Sequence, residues 1–233
     1  MNLVDYVILA VIALCVIAGM YKGLLSSLLS TIAMFASWFG AVRLYPQLSS
    51  AIQANNWLMG VVGYYVDAAT HLDTPGLVRE AVAGVSPDQL RAIVSEANLP
   101  AQFNELLQNN IMGRVFADQG MTQVGEYINQ TVLVVAINIL SFILMFVVSY
   151  LVVTMVINLL NSVFHFPVLR HLDWLAGGVL GGARGYFLVF LLFTMIPLLL
   201  TVLPLDLVND LIDTSTLGKH FMQSNFINQL IGQ

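Results

Sequence analysis

Two charged residues, Asp173 and Arg184, lie in a segment near the C-terminal end that is otherwise apolar and rich in glycine. They are eleven residues apart, about three helical turns, so both would project from one face of a helix. The rise of about 16 Å is too long for an ion pair between them. Because an arginine inside a membrane span costs roughly 2.5 to 3.5 kcal/mol to insert, Arg184 either extends to the lipid headgroups, pairs with another helix, or contacts a substrate or lipid.

Two further charges, Asp5 and Lys22, flank the first apolar run of the chain. Asp173 would meet Lys22 at one membrane surface if the first and last apolar segments pack together. Asp5, Lys22, Asp173 and Arg184 are therefore the candidate functional charges.

The glycines between Asp173 and Arg184, and those that end the first apolar run, recur at every fourth position. In a bilayer this spacing leaves a bare strip on which another helix packs closely, within one chain or between two copies. The predicted helix-packing positions are Gly19, Gly23, Gly177, Gly178, Gly181, Gly182 and Gly185. A dinucleotide-binding loop is excluded because no strand precedes these glycines.

Neither catalysis nor metal binding is indicated. The sequence has no nucleophile motif, phosphate-binding loop or carboxylate pair suited to acid–base chemistry. The histidines are scattered, and the one cysteine, Cys15, lies in an apolar run. We expect a non-enzymatic protein with no cofactor and no metal. A net charge of −5 argues against a nucleic-acid partner.

The composition is that of a membrane protein. Hydrophobic residues make up 58% of the chain and charged residues 9%, with a mean hydropathy of +0.85, whereas soluble domains carry roughly 25% charged residues. Four apolar stretches are long enough to span a bilayer: residues 3–20, 24–42, 132–160 and 176–202. The sequence predicts an all-α polytopic protein with hairpins over 1–44 and 131–203, and a kink at Pro197.

Residues 45–130 differ in composition, being acidic and only moderately apolar. Ser86 and Pro87 predict a helix start, followed by an amphipathic helix that closes before Pro100. A second amphipathic helix should end near Gly113. Residues 57–69 favour a helix in the membrane interface. The segment is predicted to be an amphipathic helical insertion between spans two and three, and residues 204–233 an amphipathic tail that docks on the bundle or the lipid.

The charges of the short connections indicate the orientation. Lys22 lies between the first two spans and Arg170 between the last two. Both connections are predicted to face the cytoplasm, with the termini and the insertion outside. The first span lacks the basic start of a cleavable signal and is expected to remain as an anchor.

Polar residues punctuate the third span, among them Asn138, Ser141, Ser149 and Thr154. Such groups act either as hydrogen-bond partners between helices or as the lining of a polar path for a solute. The sequence favours adhesion between helices and leaves the path as the alternative.

Two blocks of the chain resemble the colicin V production protein family, often called CvpA-like. The first holds Asp5 to Leu9, Gly19, Lys22 to Leu25 and Ser26 to Leu29. The second holds Phe166 to Leu169, Asp173, Gly177 to Gly182, Arg184 and Gly185. The shorter members join spans two and three briefly, whereas this chain has some eighty more residues there. The resemblance implies an integral protein of the bacterial cell membrane, associated with toxin production or envelope function, and it implies no reaction.

The main hypothesis is an assembly or packing component of the bacterial inner membrane. Its expected partners are membrane lipid, a second copy of itself, and an extracytoplasmic protein that binds residues 45–130. The alternative is a small oligomeric channel or transporter with a polar path near Arg184 and the third span.

Overall fold

The described part of the chain consists mainly of α-helices joined by short turns, and it contains no strand. The computed structural model describes residues 2–65, 78–96, 101–163, 173–196, 211–212, 214–225 and 227. These residues form seven α-helices: α1 (Leu3–Gln53), α2 (Asn56–Tyr65), α3 (Pro87–Glu96), α4 (Ala101–Gly113), α5 (Val124–Val163), α6 (Asp173–Thr194) and α7 (Thr216–Gln223). Among them, α1, α5 and α6 are long and apolar enough to cross a membrane.

Helix α1 is interrupted at Gly23, whose φ of 79° and ψ of 175° are not helical. Positive φ favours glycine because a Cβ would clash with the backbone. The Ser27 hydroxyl donates a hydrogen bond of 3.1 Å to the Gly19 carbonyl, although eight residues of continuous helix would separate the two by about 12 Å. The chain therefore turns back on itself at Gly23, and α1 consists of an N-terminal half (residues 3–22) and a C-terminal half (residues 24–53).

The structure divides into two compact units. Unit 1 comprises Met1–Pro46, Ser141–Thr194 and Leu205–Ile227, and unit 2 comprises Gln47–Leu140, Met195–Pro204 and Asn228–Gln233. Helices α1 and α5 contribute residues to both units.

In unit 1, α6 contacts both halves of α1. Its start lies against Gly23 and its middle, at Gly185, against Ile12, so it runs antiparallel to the N-terminal half. It runs parallel to the C-terminal half, because Asp173 contacts Leu24 while the rings of Phe187 and Phe35 are 5.1 Å apart. The two halves of α1 are thus antiparallel to each other.

Helix α5 packs on the C-terminal half of α1 in the opposite direction. Gly40 lies against Ser149, and the rings of Tyr45 and Phe142 are 6.2 Å apart. As the α1 position rises from 40 to 45, the α5 position falls from 149 to 142. Unit 1 therefore contains a third segment next to the α1 hairpin, with α6 as the fourth.

The C-terminal tail docks on the helices of unit 1. Ser215 caps α7 by accepting a hydrogen bond of 2.7 Å from the Gly218 amide. Phe221 is 1% exposed, and its ring lies 4.9 Å from those of both Tyr186 and Phe190. Of the two places predicted for the tail, the bundle or the lipid, the described part of the tail occupies the bundle.

Unit 2 contains the two predicted amphipathic helices. The Ser86 hydroxyl accepts from the Gln89 amide, and the Gln89 side chain accepts from the Ser86 amide at 2.8 Å, which is a capping box. Helix α3 ends at Glu96 and α4 at Gly113. The buried stripe of these helices consists of Leu90, Ile93, Val94, Leu107 and Ile111. The start of α3 and the ends of α3 and α4 agree with those the sequence predicts.

The first part of α5 supplies the other wall of this core. Val124, Tyr127 and Ile128 are at most 1% exposed. Asn110 of α4 donates a hydrogen bond of 2.9 Å to the Thr131 hydroxyl inside the core. Unit 2 therefore has an apolar interior of its own.

Helix bounds differ from the predicted spans at the end of α1, at both ends of α5 and at the start of α6. Helix α1 continues to Gln53, past residue 42, and α5 begins at Val124, ahead of residue 132. Composition marks where an apolar surface ends, whereas the helix continues as long as its polar residues find partners, as Ser49 does. Helix α6 begins at Asp173, three residues before the predicted start. Pro197 and Arg170 lie outside the described residues.

Candidate functional site

Among the contacts made by the predicted residues, the closest lies between the N-terminal half of α1 and α6. A Cβ on Gly19 would overlap the Gly177 carbonyl oxygen, and a Cβ on Gly181 would overlap the Cys15 carbonyl oxygen. The two backbones therefore touch directly. Only residues without a Cβ permit this approach, which is how small residues let membrane helices pack.

The remaining glycines of α6 extend the contact on both sides. A Cβ on Gly185 would lie 2.8 Å from the Cys15 Cβ, and one on Gly178 would lie 2.7 Å from the Met20 Cγ. At Gly182 the nearest atom is a Val16 methyl at 3.3 Å. The glycine strip is thus occupied by a contact within one chain.

Asp173 lies at the turn between the two halves of α1. One carboxylate oxygen accepts a hydrogen bond of 2.6 Å from the Leu24 amide, and the other occupies the space where a Gly23 Cβ would stand. Asp173 therefore caps the start of the C-terminal half, whose first amides have no partner within the helix. The predicted partner, Lys22, is exposed, and the described residues contain no ion pair between the two. The backbone amide takes the carboxylate instead, because it is fixed in place whereas a lysine side chain is free to stay in solvent.

Arg184 lies at the middle of α6, eleven residues after Asp173 and ten before Thr194. Because α6 begins three residues before the predicted span, Arg184 lies about one turn further from the helix start than the sequence predicts. The residue is partly buried, and within the described residues no carboxylate lies at ion-pair distance from its guanidinium.

Asp5 is fully buried, at 0% exposure. Its carboxylate accepts hydrogen bonds from the Ser215 hydroxyl at 2.5 Å, from the Leu217 amide at 2.9 Å and from the Asn2 amide at 2.9 Å. Three donors offset the cost of removing the charge from water. The carboxylate also caps the start of α7 and ties the tail to the beginning of α1.

The sequence analysis did not identify the other residues that join the start of α1 and the end of α6 to the C-terminal tail. The side-chain amide of Asn2 donates to the Leu211 carbonyl and to the Thr214 hydroxyl. Asn225 is fully buried and donates to the Phe190 carbonyl at 3.2 Å. No local pattern relates positions some 210 residues apart. The available signal was Ser215 ahead of an amphipathic stretch, which marks a helix start.

The polar residues of the third span either contact another helix or are buried without a hydrogen-bond partner. In unit 2, Ser49 donates a hydrogen bond of 2.5 Å to the Asn138 side chain. In unit 1, Ser149 packs against Gly40. The Ser141 and Thr154 hydroxyls are buried without a hydrogen-bond partner. Two of the four predicted residues thus contact another helix, as adhesion requires.

The comparisons with known proteins give one family match. The family model described as Colicin V production protein matches residues 4–83 and 107–225. The match includes Asp5, Arg184 and the glycine contact, and it leaves out 84–106. The predicted departure of some eighty residues between spans two and three is therefore too large, since much of unit 2 matches the family as well. No curated protein and no solved structure matches the chain.

We expect Gly181→Ala to open the contact between α1 and α6, because its methyl group would meet the Cys15 carbonyl oxygen. Overpacking of this kind costs about 1 to 3 kcal/mol. The measurement is the rate at which a maleimide labels Cys15, the one cysteine of the chain, in detergent across a temperature series. Gly182→Ala is the matched control, since its methyl meets only a side chain. Equal labelling rates in the two variants would contradict the proposed fit.

We expect Asp5→Ala to release α7, because the Ser215 and Leu217 donors lose their charged acceptor. Hydrogen exchange of the amides in residues 216–223 should accelerate by more than about tenfold. Asp5→Asn, which keeps one acceptor oxygen, should show an exchange rate between those of the wild type and Asp5→Ala. Asp88→Ala is the control, since that carboxylate is 94% exposed beside Arg91. Unchanged protection of α7 in Asp5→Ala would show that its aromatic contacts alone hold it.

Proposed function

The chain belongs to the colicin V production protein family, and from that premise we propose that it is a non-enzymatic, four-span assembly component of the bacterial inner membrane that acts in toxin production or export or in envelope function. The main support for insertion in a membrane is a set of exposed apolar bands on the long helices. On the two halves of α1 they run from Leu3 to Tyr21 and from Leu28 to Leu44, on α5 from Leu140 to Leu159, and on α6 from Trp174 to Leu192.

The length of these bands supports four crossings. At 1.5 Å per residue each band is about 24 to 29 Å long, close to the hydrocarbon thickness of about 30 Å. The reversal at Gly23 lets the first helix cross twice, which a count of long helices alone does not reveal. With four crossings, the termini and the predicted insertion, residues 45–130, are expected on the same side of the membrane.

The orientation follows from Lys22. It is exposed at the turn between the first two crossings, and short loops that carry lysine or arginine are retained in the cytoplasm. The termini and residues 45–130 then face the outside, and unit 2 is available to an extracytoplasmic partner.

Helix α2 supports a role in partner binding. It has no buried residue, and Trp57, Val61, Tyr64 and Tyr65 are 71%, 41%, 81% and 60% exposed. Their spacing of four, three and one residues places them on one helical face. Exposed tryptophan and tyrosine are the side chains most enriched where proteins bind each other.

The test is restoration of colicin V production in cells that lack their own member of the family. Wild type should restore it, and a deletion that replaces 54–133 with a short Gly–Ser linker should not. The linker joins neighbouring ends, because Ser49 and Asn138, each four residues from a cut, are hydrogen-bonded. The deletion should still resist alkaline extraction from membranes. Failure to insert would show that unit 2 is part of the membrane fold, and full restoration would exclude its partner role.

A double substitution, Trp57→Ala with Tyr64→Ala, narrows this test to the α2 face. Since α2 has no buried residue, the protein should insert and fold as before while colicin V production falls. Met112→Ala, which changes an unrelated side chain that is 73% exposed, is the control.

The second candidate function is a small oligomeric channel or transporter, and the position of Arg184 favours it. A partly buried arginine within a span is a default candidate for a solute contact. Liposomes that contain the protein should show no ion flux above empty liposomes if the assembly role is correct. Flux that Arg184→Ala abolishes and Arg43→Ala preserves would establish the channel instead, since Arg43 is an exposed arginine outside α6.

A further inference from the structure

One face of α5 in unit 1 carries an exposed heptad pattern. Leu144, Val148, Leu151 and Met155 are 55%, 46%, 65% and 66% exposed, and Asn158 is exposed as well. Their spacing alternates between four and three residues, which is the seam of a left-handed coiled coil. Membrane helices pair most often with this hand and a crossing angle of about 20°.

Near its end the seam carries polar groups that have no hydrogen-bond partner among the described residues. The Thr154 hydroxyl oxygen is buried without a hydrogen bond, and within the described residues the Asn158 amide also has none. The two are one turn apart and line an open concavity of about 430 Å³ together with Leu151, Met155 and Leu159. At the end of the apolar band, an amide without a partner favours association with any helix that can complete its hydrogen bonds.

We propose that this seam is a homodimer interface in which α5 pairs with α5 of a second copy, with Asn158 bonded across the two-fold axis. An asparagine side chain donates and accepts at once, so it is complementary to itself, as a contact between identical surfaces requires. A single asparagine in such a seam fixes the register and the number of chains. The glycine strip does not compete for this role, because α1 already covers it. The proposal rests on the membrane placement of α5 given above.

The first test maps the contact with single cysteines in a Cys15→Ala background. In phosphatidylcholine vesicles with a minority of phosphatidylglycerol, copper-phenanthroline should link Leu151→Cys and Met155→Cys into covalent dimers. Val152→Cys and Val156→Cys are the matched controls: both are exposed on α5, at 57% and 49% in the parent side chains, and both lie off the seam. Equal cross-linking on and off the seam, or none at all, would overturn the proposal.

The second test measures the dimer fraction by energy transfer between labelled copies as the vesicles are diluted with lipid. Asn158→Leu should weaken association about five- to thirty-fold, and Asn158→Gln should recover part of it. An unchanged dimer fraction in Asn158→Leu would mean that lipid headgroups solvate this side chain, and the proposal would fail. Resistance to alkaline extraction is scored in parallel: a variant that inserts but stays monomeric overturns the dimer alone, whereas one that fails to insert counts against the membrane placement itself.

Discussion

The direct backbone contact between α1 and α6 is the constraint on which the rest of unit 1 depends. Hydrocarbon provides no hydrophobic force to bring two membrane helices together, so close van der Waals packing and hydrogen bonds must do so. Gly19 and Gly181 allow that packing at a distance that any side chain would prevent. Once this approach is fixed, so is the position of the turn at Gly23 and of the C-terminal half of α1 that follows it.

Two carboxylates secure the opposite ends of this contact in the same way. Asp173 accepts from the Leu24 amide at the turn, and Asp5 accepts from the Leu217 amide at the start of α7. Each bonds the unsatisfied first amides of another helix, where the helix dipole also favours a negative charge. Both acids at the span ends therefore act as caps for the first amides of another helix. Asp173 thereby joins α6 to the C-terminal half of α1, and Asp5 joins α7 to the N-terminal half of α1.

Local rules in the sequence predict much of this fold because local physics decides it. The glycine spacing identifies the face of α6 that meets α1, and Ser86 with Pro87 identifies the start of α3. Contacts between positions far apart in the chain do not follow from such local rules. Nothing at Asp5 indicates a bond to Ser215, since the pairing exists only after both segments have folded. Composition also misplaces the end of α1, because a helix continues into polar sequence wherever side chains such as Ser49 find partners.

The polar groups near the apolar bands fall into two classes, and the division separates stability from function. Asp5 and Asp173 are satisfied by amides of the same chain, so their cost of burial is offset inside the fold. Arg184 and Asn158 have no such partner among the residues that the structure describes. In water such groups would bond to solvent and would need no partner in the protein. In hydrocarbon an unsatisfied polar group costs several kcal/mol, and nothing in the described part of the fold offsets that cost for these two residues. Contacts with lipid, solute or a second copy should therefore concentrate at these two residues, whereas the glycines and the two aspartates maintain the helices that present them.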